Sequence, residues 1–211
     1  MLKTIAIPGF RYEDAGHLYF YNEAPKPSLS EILGVFKNPF WTPGGREEGK
    51  LLHLACQYVA EGTLDRAWLD EILAMPESPS FRPKAIVGRV LSYETWFKLS
   101  KFQPLYLEQP VYHHQLGFGT TPDQVGYLGP RLTVVELKRN TKEKWHRLQT
   151  AGQKLALNAN GIPVTHRMGL YLREEGMARP DLHDDPADEN YFTALALGLQ
   201  AKRIYGGNHG E

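Results

Sequence analysis

Asp123, Glu136 and Lys138 are the residues whose types and spacing most directly suggest chemistry. Asp123 lies in a turn-like stretch where Gly117, Gly119, Pro122 and Gly126 fall close together. After twelve intervening residues comes Glu136-Leu137-Lys138. It ends the run Arg131–Lys138, which is short, apolar and β-branched and predicts a largely buried strand. Strand side chains alternate between faces, so Glu136 and Lys138 point the same way. Two charges at the end of a buried strand are costly without a partner or a metal. Asp123, brought alongside from a preceding strand, would complete a cluster of two carboxylates and one ammonium. Two carboxylates suit a hard cation such as Mg²⁺, which takes oxygen ligands and keeps several waters. The lysine would then orient or deprotonate a water on that metal. Burial would lower its pKa and the carboxylates would raise it, and the sequence leaves that balance open.

Pro122-Asp123 with Glu136-Leu137-Lys138 matches the signature of the PD-(D/E)XK nucleases, and the chain resembles their RecB-like, phage-type exonuclease branch. Gln149-Thr150-Ala151-Gly152-Gln153 resembles that branch's Gln-x-x-x-Tyr motif, with Gln153 in place of the tyrosine. Gly49-Lys50-Leu51-Leu52-His53 fits its Gly-x-x-x-His motif. Glu108, in Leu107-Glu108-Gln109-Pro110-Val111, falls where those enzymes place a glutamate opening the first core strand. A strand followed by Pro27-Ser28-Leu29-Ser30 and a short helix is similar to the opening of phage-type and mitochondrial members.

The resemblance implies an α/β fold with a restriction-endonuclease-like core: a central mixed β-sheet flanked by helices, with an N-terminal helical addition. It implies one domain, with a β element and helices over 1–104 and a catalytic core over 105–204. The implied activity is that of a Mg²⁺- or Mn²⁺-dependent DNA nuclease with one or two ions per site. It would act on linear DNA ends in recombination, repair or end processing. Asp123, Glu136 and the Leu137 carbonyl would hold the metal, and Lys138 would position or deprotonate the water. His53 would complete the coordination or hold a second ion; its imidazole nitrogen favours Mn²⁺ as well as Mg²⁺. Glu108 would act at one remove or through water. Gln149 would hydrogen-bond a phosphate or orient Lys138. A recombination or single-strand annealing protein is a further implied partner. The alternative is a catalytically inactive nuclease-fold module that binds DNA or protein, which the change at Gln153 favours.

Composition sets the outer bounds. A chain of 211 residues, 42% hydrophobic and 11% aromatic, can form one medium domain with a proper core. No apolar run approaches the ~20 residues of a membrane span. The Pro-broken start Met1–Pro8 does not read as a signal peptide, so the expected compartment is the cytoplasm of a bacterial or phage-infected cell. Cys56 is the single cysteine, which rules out an internal disulfide and a four-cysteine iron–sulfur cluster such as some relatives carry. Formal net charge is zero and gives no global support for nucleic-acid binding. Lys138–Arg147, however, holds Lys138, Arg139, Lys142, Lys144 and Arg147 against one acid, Glu143. That run reads either as a solvated face or as a phosphate-facing surface involving Arg139 and Lys142.

The elements that must position these residues follow from periodicity. Residues 1–26 predict a small β element, and Ser28 or Ser30 caps a short helix. Residues 37–46 predict a loop in which Phe40 and Trp41 either stack on unpaired bases or plug the core. Arg46 and Lys50 near the next helix start are candidates for a DNA phosphate. Glu47–Ala60 is a predicted helix with His53 beside its apolar face and Cys56 as plain core. Asp65–Ala74 and Lys84–Lys101 predict two more helices. Leu105–His114 and Gln115–Leu128 predict a strand pair leading into Arg131–Lys138. His113 and His114 would face opposite ways, which disfavours a joint metal site. Glu143–Asn158 predicts a helix stopped near Gly161, Val164–Leu172 a strand, and Glu189–Arg203 a last helix, with 205–211 frayed.

Overall fold

The computed structural model describes residues 2–36, 43–139 and 141–206, with backbone alone over 43–46. The chain opens with an antiparallel three-stranded sheet of β1 (Phe10–Glu13), β2 (Leu18–Tyr21) and β3 (Ala24–Lys26). Ser28 then caps α1 (Leu29–Ile32) in a reciprocal box: its Oγ accepts from the Glu31 N–H at 3.1 Å, and Glu31 accepts from the Ser28 N–H at 2.7 Å. A 3₁₀ turn follows over Leu33–Phe36.

The second helix, α2 (Pro43–Glu61), starts four residues before the expected Glu47. Proline at a helix start has its φ already set and no N–H to leave unpaired, so the helix extends back through Gly44 and Gly45 to Pro43. α3 (Arg66–Ala74) is capped by Asp65, which accepts from the Ala67 N–H at 2.9 Å. α4 (Pro83–Ser100) again begins on a proline and stops at Lys101, which takes a left-handed conformation.

Next come β4 (Gln103–Leu107), β5 (Val111–His113), β6 (Phe118–Thr120), β7 (Gln124–Leu128) and β8 (Arg131–Lys138). α5 (His146–Ala159), β9 (His166–Tyr171), β10 (Arg179–Leu182) and α6 (Ala187–Tyr205) complete the described chain. The main sheet runs β10-β9-β8-β7-β4; β8 and β9 are parallel and the other neighbours antiparallel. It is a mixed sheet flanked by helices, as expected. The two long strands expected over 105–128 are instead four short ones. β4 pairs β7, while β5 and β6 leave the sheet as a separate hairpin. Glu108 at φ +47°, Pro110, Gly117 at φ +62° and Pro122 interrupt the extended backbone between them.

β8 is the buried centre the sequence suggested. Val135 and Leu137 face Leu52, Cys56, Val90 and Tyr93 of the α2–α4 layer. Leu132 and Val134 face Ala151, Leu157 and Phe192 of the α5–α6 layer. Alternation therefore turns Glu136 and Lys138 towards α5. The α5 and α6 helices approach closely at Gly152, where a Cβ would fall 2.5 Å from the Phe192 ring. Among the described residues no helix is long and apolar enough to cross a membrane.

Candidate metal centre

The ends of β4 and β7 fix two carboxylates side by side. Leu107 pairs with Gln124 in the sheet, and one residue beyond, the Glu108 N–H donates to the Asp123 carbonyl at 3.0 Å. Glu108 holds a left-handed backbone at φ +47°. For a non-glycine residue that conformation costs on the order of 1–2 kcal/mol, and it turns the side chain off the line of the strand. Asp123 is buried, and its Oδ2 accepts from the Leu137 N–H of β8 at 2.6 Å. Its other oxygen, Oδ1, lies 3.3 Å from His53 Nδ1, which also lies 3.6 Å from Glu108 Oε1. His53 reaches the site from α2, where its neighbours Leu52, Ala55 and Cys56 are fully buried and anchor the helix.

The donor atoms of His53, Glu108 and Asp123 all lie within 4.8 Å of one another. Ligands opposite each other on a small divalent ion, at about 2.1 Å each, stand roughly 4.2 Å apart. His53 Nδ1 lies 3.3 Å from Asp123 Oδ1 and 3.6 Å from Glu108 Oε1, inside that limit, so two carboxylates and an imidazole could meet one such ion. About a third of the His53 and Glu108 side chains is exposed, so the group opens to solvent on one side.

Beside this group stands a second set of contacts. Glu136 is buried, and its Oε1 accepts from Lys138 Nζ at 3.0 Å and from Gln149 Nε2 at 2.5 Å. Its Oε2 accepts from Gln153 Nε2 at 2.6 Å. Lys138 Nζ also donates to Gln149 Oε1 at 2.8 Å and sits 5.6 Å from the centre of the Trp145 ring.

Charge crowding marks the site. Loss of water raises the Glu108 carboxyl to about 7, with nearby Asp123 and Glu136 adding to the rise. Burial, then Asp123, likewise raises Glu136, against the pull of Lys138. For His53, loss of water opposes protonation, but Asp123 and Glu108 outweigh it and hold the imidazole well above its ordinary value. Three carboxylates share this space with one ammonium and one imidazole, an arrangement that a divalent cation would relieve.

The structure arranges the expected residues in two adjoining sets. Glu108, expected to act at one remove, belongs to the close group directly. Glu136, expected as a primary metal carboxylate, stands beside that group in the grip of Lys138, Gln149 and Gln153. Glu108 also follows β4 rather than opening it. Leu137 contributes its N–H to Asp123. Of the residues expected to meet DNA, Lys50 is exposed on α2. Arg139 lies 3.8 Å from Glu48 Oε2, and Lys142 lies ahead of α5 in an ion pair with Asp181 at 2.6 Å. Phe40 and Trp41 fall outside the described residues, as does the Arg46 side chain.

Two supports were not foreseen. The Tyr19 hydroxyl lies 3.0 Å from Thr121 Oγ1, two residues before Asp123, with its ring against Gly119, where a Cβ would meet the ring at 2.2 Å. Their 102-residue separation leaves no local signal. Buried Glu48 binds buried Arg89, which also donates to Glu174 at 2.7 Å and so ties α2 to α4 and to the segment after β9. No family model and no curated protein matches this chain.

Proposed function

We propose that the protein is a Mg²⁺- or Mn²⁺-dependent DNA nuclease with a restriction-endonuclease-like core, acting on linear DNA in recombination, repair or end processing. The observation that carries this reading is the meeting of His53 of α2 with Glu108 and Asp123 at the β4 and β7 ends, beside Glu136 and Lys138. Two oxygen donors favour Mg²⁺, and the imidazole extends the choice to Mn²⁺. A divalent ion bound there supplies a water of lowered pKa and offsets charge on the scissile phosphate.

The chain's own residues account for the remaining roles. His53, Glu108 and Asp123 hold the ion, and the Leu137 N–H keeps Asp123 turned towards it. Lys138 commits N–H donors to Glu136 and Gln149, which fixes the ammonium at the edge of the group. From there it orients the attacking water or meets a phosphate oxygen. Fixed donors of this kind contribute most where charge builds in the transition state. Gln149 locks Lys138 and Glu136 together.

A second reading, a nuclease-fold binding module without hydrolysis, draws on the full engagement of Glu136 by three donors. Digestion of end-labelled linear and circular DNA, single- and double-stranded, with Mg²⁺ or Mn²⁺ separates the two. Loss of linear DNA with survival of the circle is the expected result. Asp123→Ala, Glu136→Ala and Lys138→Ala should each abolish it with the fold intact. Wild-type digestion rates in any of the three overturn the assignment, and no cleavage by folded wild type favours the binding module.

A further inference from the structure

Gln153 occupies the place where the resembled motif has tyrosine, and its surroundings assign it a task. It lies one turn after Gln149 on α5, so both amides project to the same side of the helix. Together they grip both oxygens of the Glu136 carboxylate, Gln149 at Oε1 and Gln153 at Oε2. Gln153 is only 1% exposed and so is shielded from any macromolecular substrate. Its own Oε1 is buried with no hydrogen-bond partner. A buried carbonyl left unmet is a cost that methionine or leucine would avoid in the same volume. The single hydrogen bond that the amide makes to Glu136 is what distinguishes it from an apolar filler.

Glu136 needs such a hold. Its carboxylate is repelled by Asp123 and drawn towards Lys138, the two neighbouring charges that act on it most strongly. Lys138 and Gln149 hold its Oε1, and among the described residues Gln153 is the side-chain donor at Oε2. We propose that Gln153 is a positioning residue that fixes Glu136 at the edge of that group by binding its Oε2, so that metal affinity depends on a side chain that touches neither metal nor DNA. This rests on the reading of the site as a divalent-metal centre.

The test is titration calorimetry of Mn²⁺ into wild type and Gln153→Met, with melting temperatures of the metal-free proteins recorded alongside. Methionine keeps the volume and removes the donor. The expected result is Mn²⁺ binding weakened severalfold or more as the Glu136 charge moves off the edge of the group, in a variant that still unfolds cooperatively at a melting temperature a few degrees lower, from the loss of one hydrogen bond to a buried carboxylate. With DNA as substrate, kcat should fall while KM stays at the wild-type value. Gln153→Leu, also uncharged and lacking the donor, serves as a second variant and should weaken Mn²⁺ as much. Unchanged Mn²⁺ affinity in a folded variant overturns the positioning role, whatever happens to DNA. Wild type that binds Mn²⁺ but cleaves no DNA overturns the nuclease reading and leaves the Gln153 comparison decisive. Wild type that binds no Mn²⁺ overturns both.

Discussion

At the scale of single residues, the site is a balance of like charges. Glu108 is held in a left-handed turn against Asp123 and near Glu136, a conformation with a cost that folding alone does not require. Removing one charge should therefore stabilise the metal-free chain. Glu108→Gln is expected to raise its melting temperature at pH 8 by a few degrees, since ~1 kcal/mol corresponds to about 2–4 °C for a chain of this size. Scanning fluorimetry without added metal measures it. A lower melting temperature would mean that the 3.6 Å contact with His53 outweighs the repulsion. Glu136 and Lys138 were readable as neighbours on one face of a strand, whereas Asp123 and His53 were singled out through the resembled motifs. The direct role of Glu108 was not, because a turn at φ +47° has no signature in a glutamate. Gln153 was visible only as a departure from a motif, and its contact needed the register of α5 over β8.

At the scale of elements, α5 and the β9–β10 edge enclose a second polar layer beneath the site. His146 Nδ1 lies 2.9 Å from the Tyr171 hydroxyl, and His183 Nδ1 lies 2.8 Å from Thr150 Oγ1. Burial pushes His146 down to about 3, helped by the charges of Lys138 and His183. Burial also pushes His183 down to about 4; Asp181 opposes the shift, while Arg167 and Arg147 reinforce it. An unfolded histidine titrates near 6.5. Between about 6.5 and 4 these two side chains bind protons in the unfolded chain that they refuse in the fold, and their contribution to stability rises with pH. The contribution is complete above pH 6.5 and is lost as pH falls through that window. His53, Glu108 and Glu136, held above their ordinary values, act the other way, so the histidine contribution is read as a difference: on going from pH 7.5 to pH 5 in urea denaturation, the midpoint of His183→Gln should shift upwards relative to that of wild type. The same pH response in wild type and His183→Gln would show that the His183 imidazole is accessible to protons in the fold. The helices here were legible from apolar spacing. β10 was not: Pro180 and Asp181 give Arg179–Leu182 no strand pattern, and pairing with β9 alone makes it one.

At the scale of the whole molecule, one mixed sheet separates two apolar layers, and the candidate site lies where α2, the β4 and β7 ends, β8 and α5 converge. The order of the helices and the buried centre at β8 were legible in the sequence. The β5–β6 excursion was not, because turn residues mark where extended chain breaks and not which sheet it rejoins. The basic run 138–147 also changes meaning in three dimensions. Lys138, Arg139, Lys142 and Arg147 each lie within ion-pair distance of a carboxylate, at Glu136, Glu48, Asp181 and Asp188. A run that reads as a free cationic surface is here mostly paired across elements, in keeping with a formal net charge of zero. The three-residue group is then the feature on which the functional account stands. Its most direct measurement is the Mn²⁺ affinity of wild type beside His53→Ala and Asp123→Asn by titration calorimetry. Saturable binding at one or two ions per chain in wild type, lost or at least tenfold weaker in both variants, is the expected result. Binding that is absent in wild type, or unchanged in both variants, contradicts a metal centre at His53, Glu108 and Asp123.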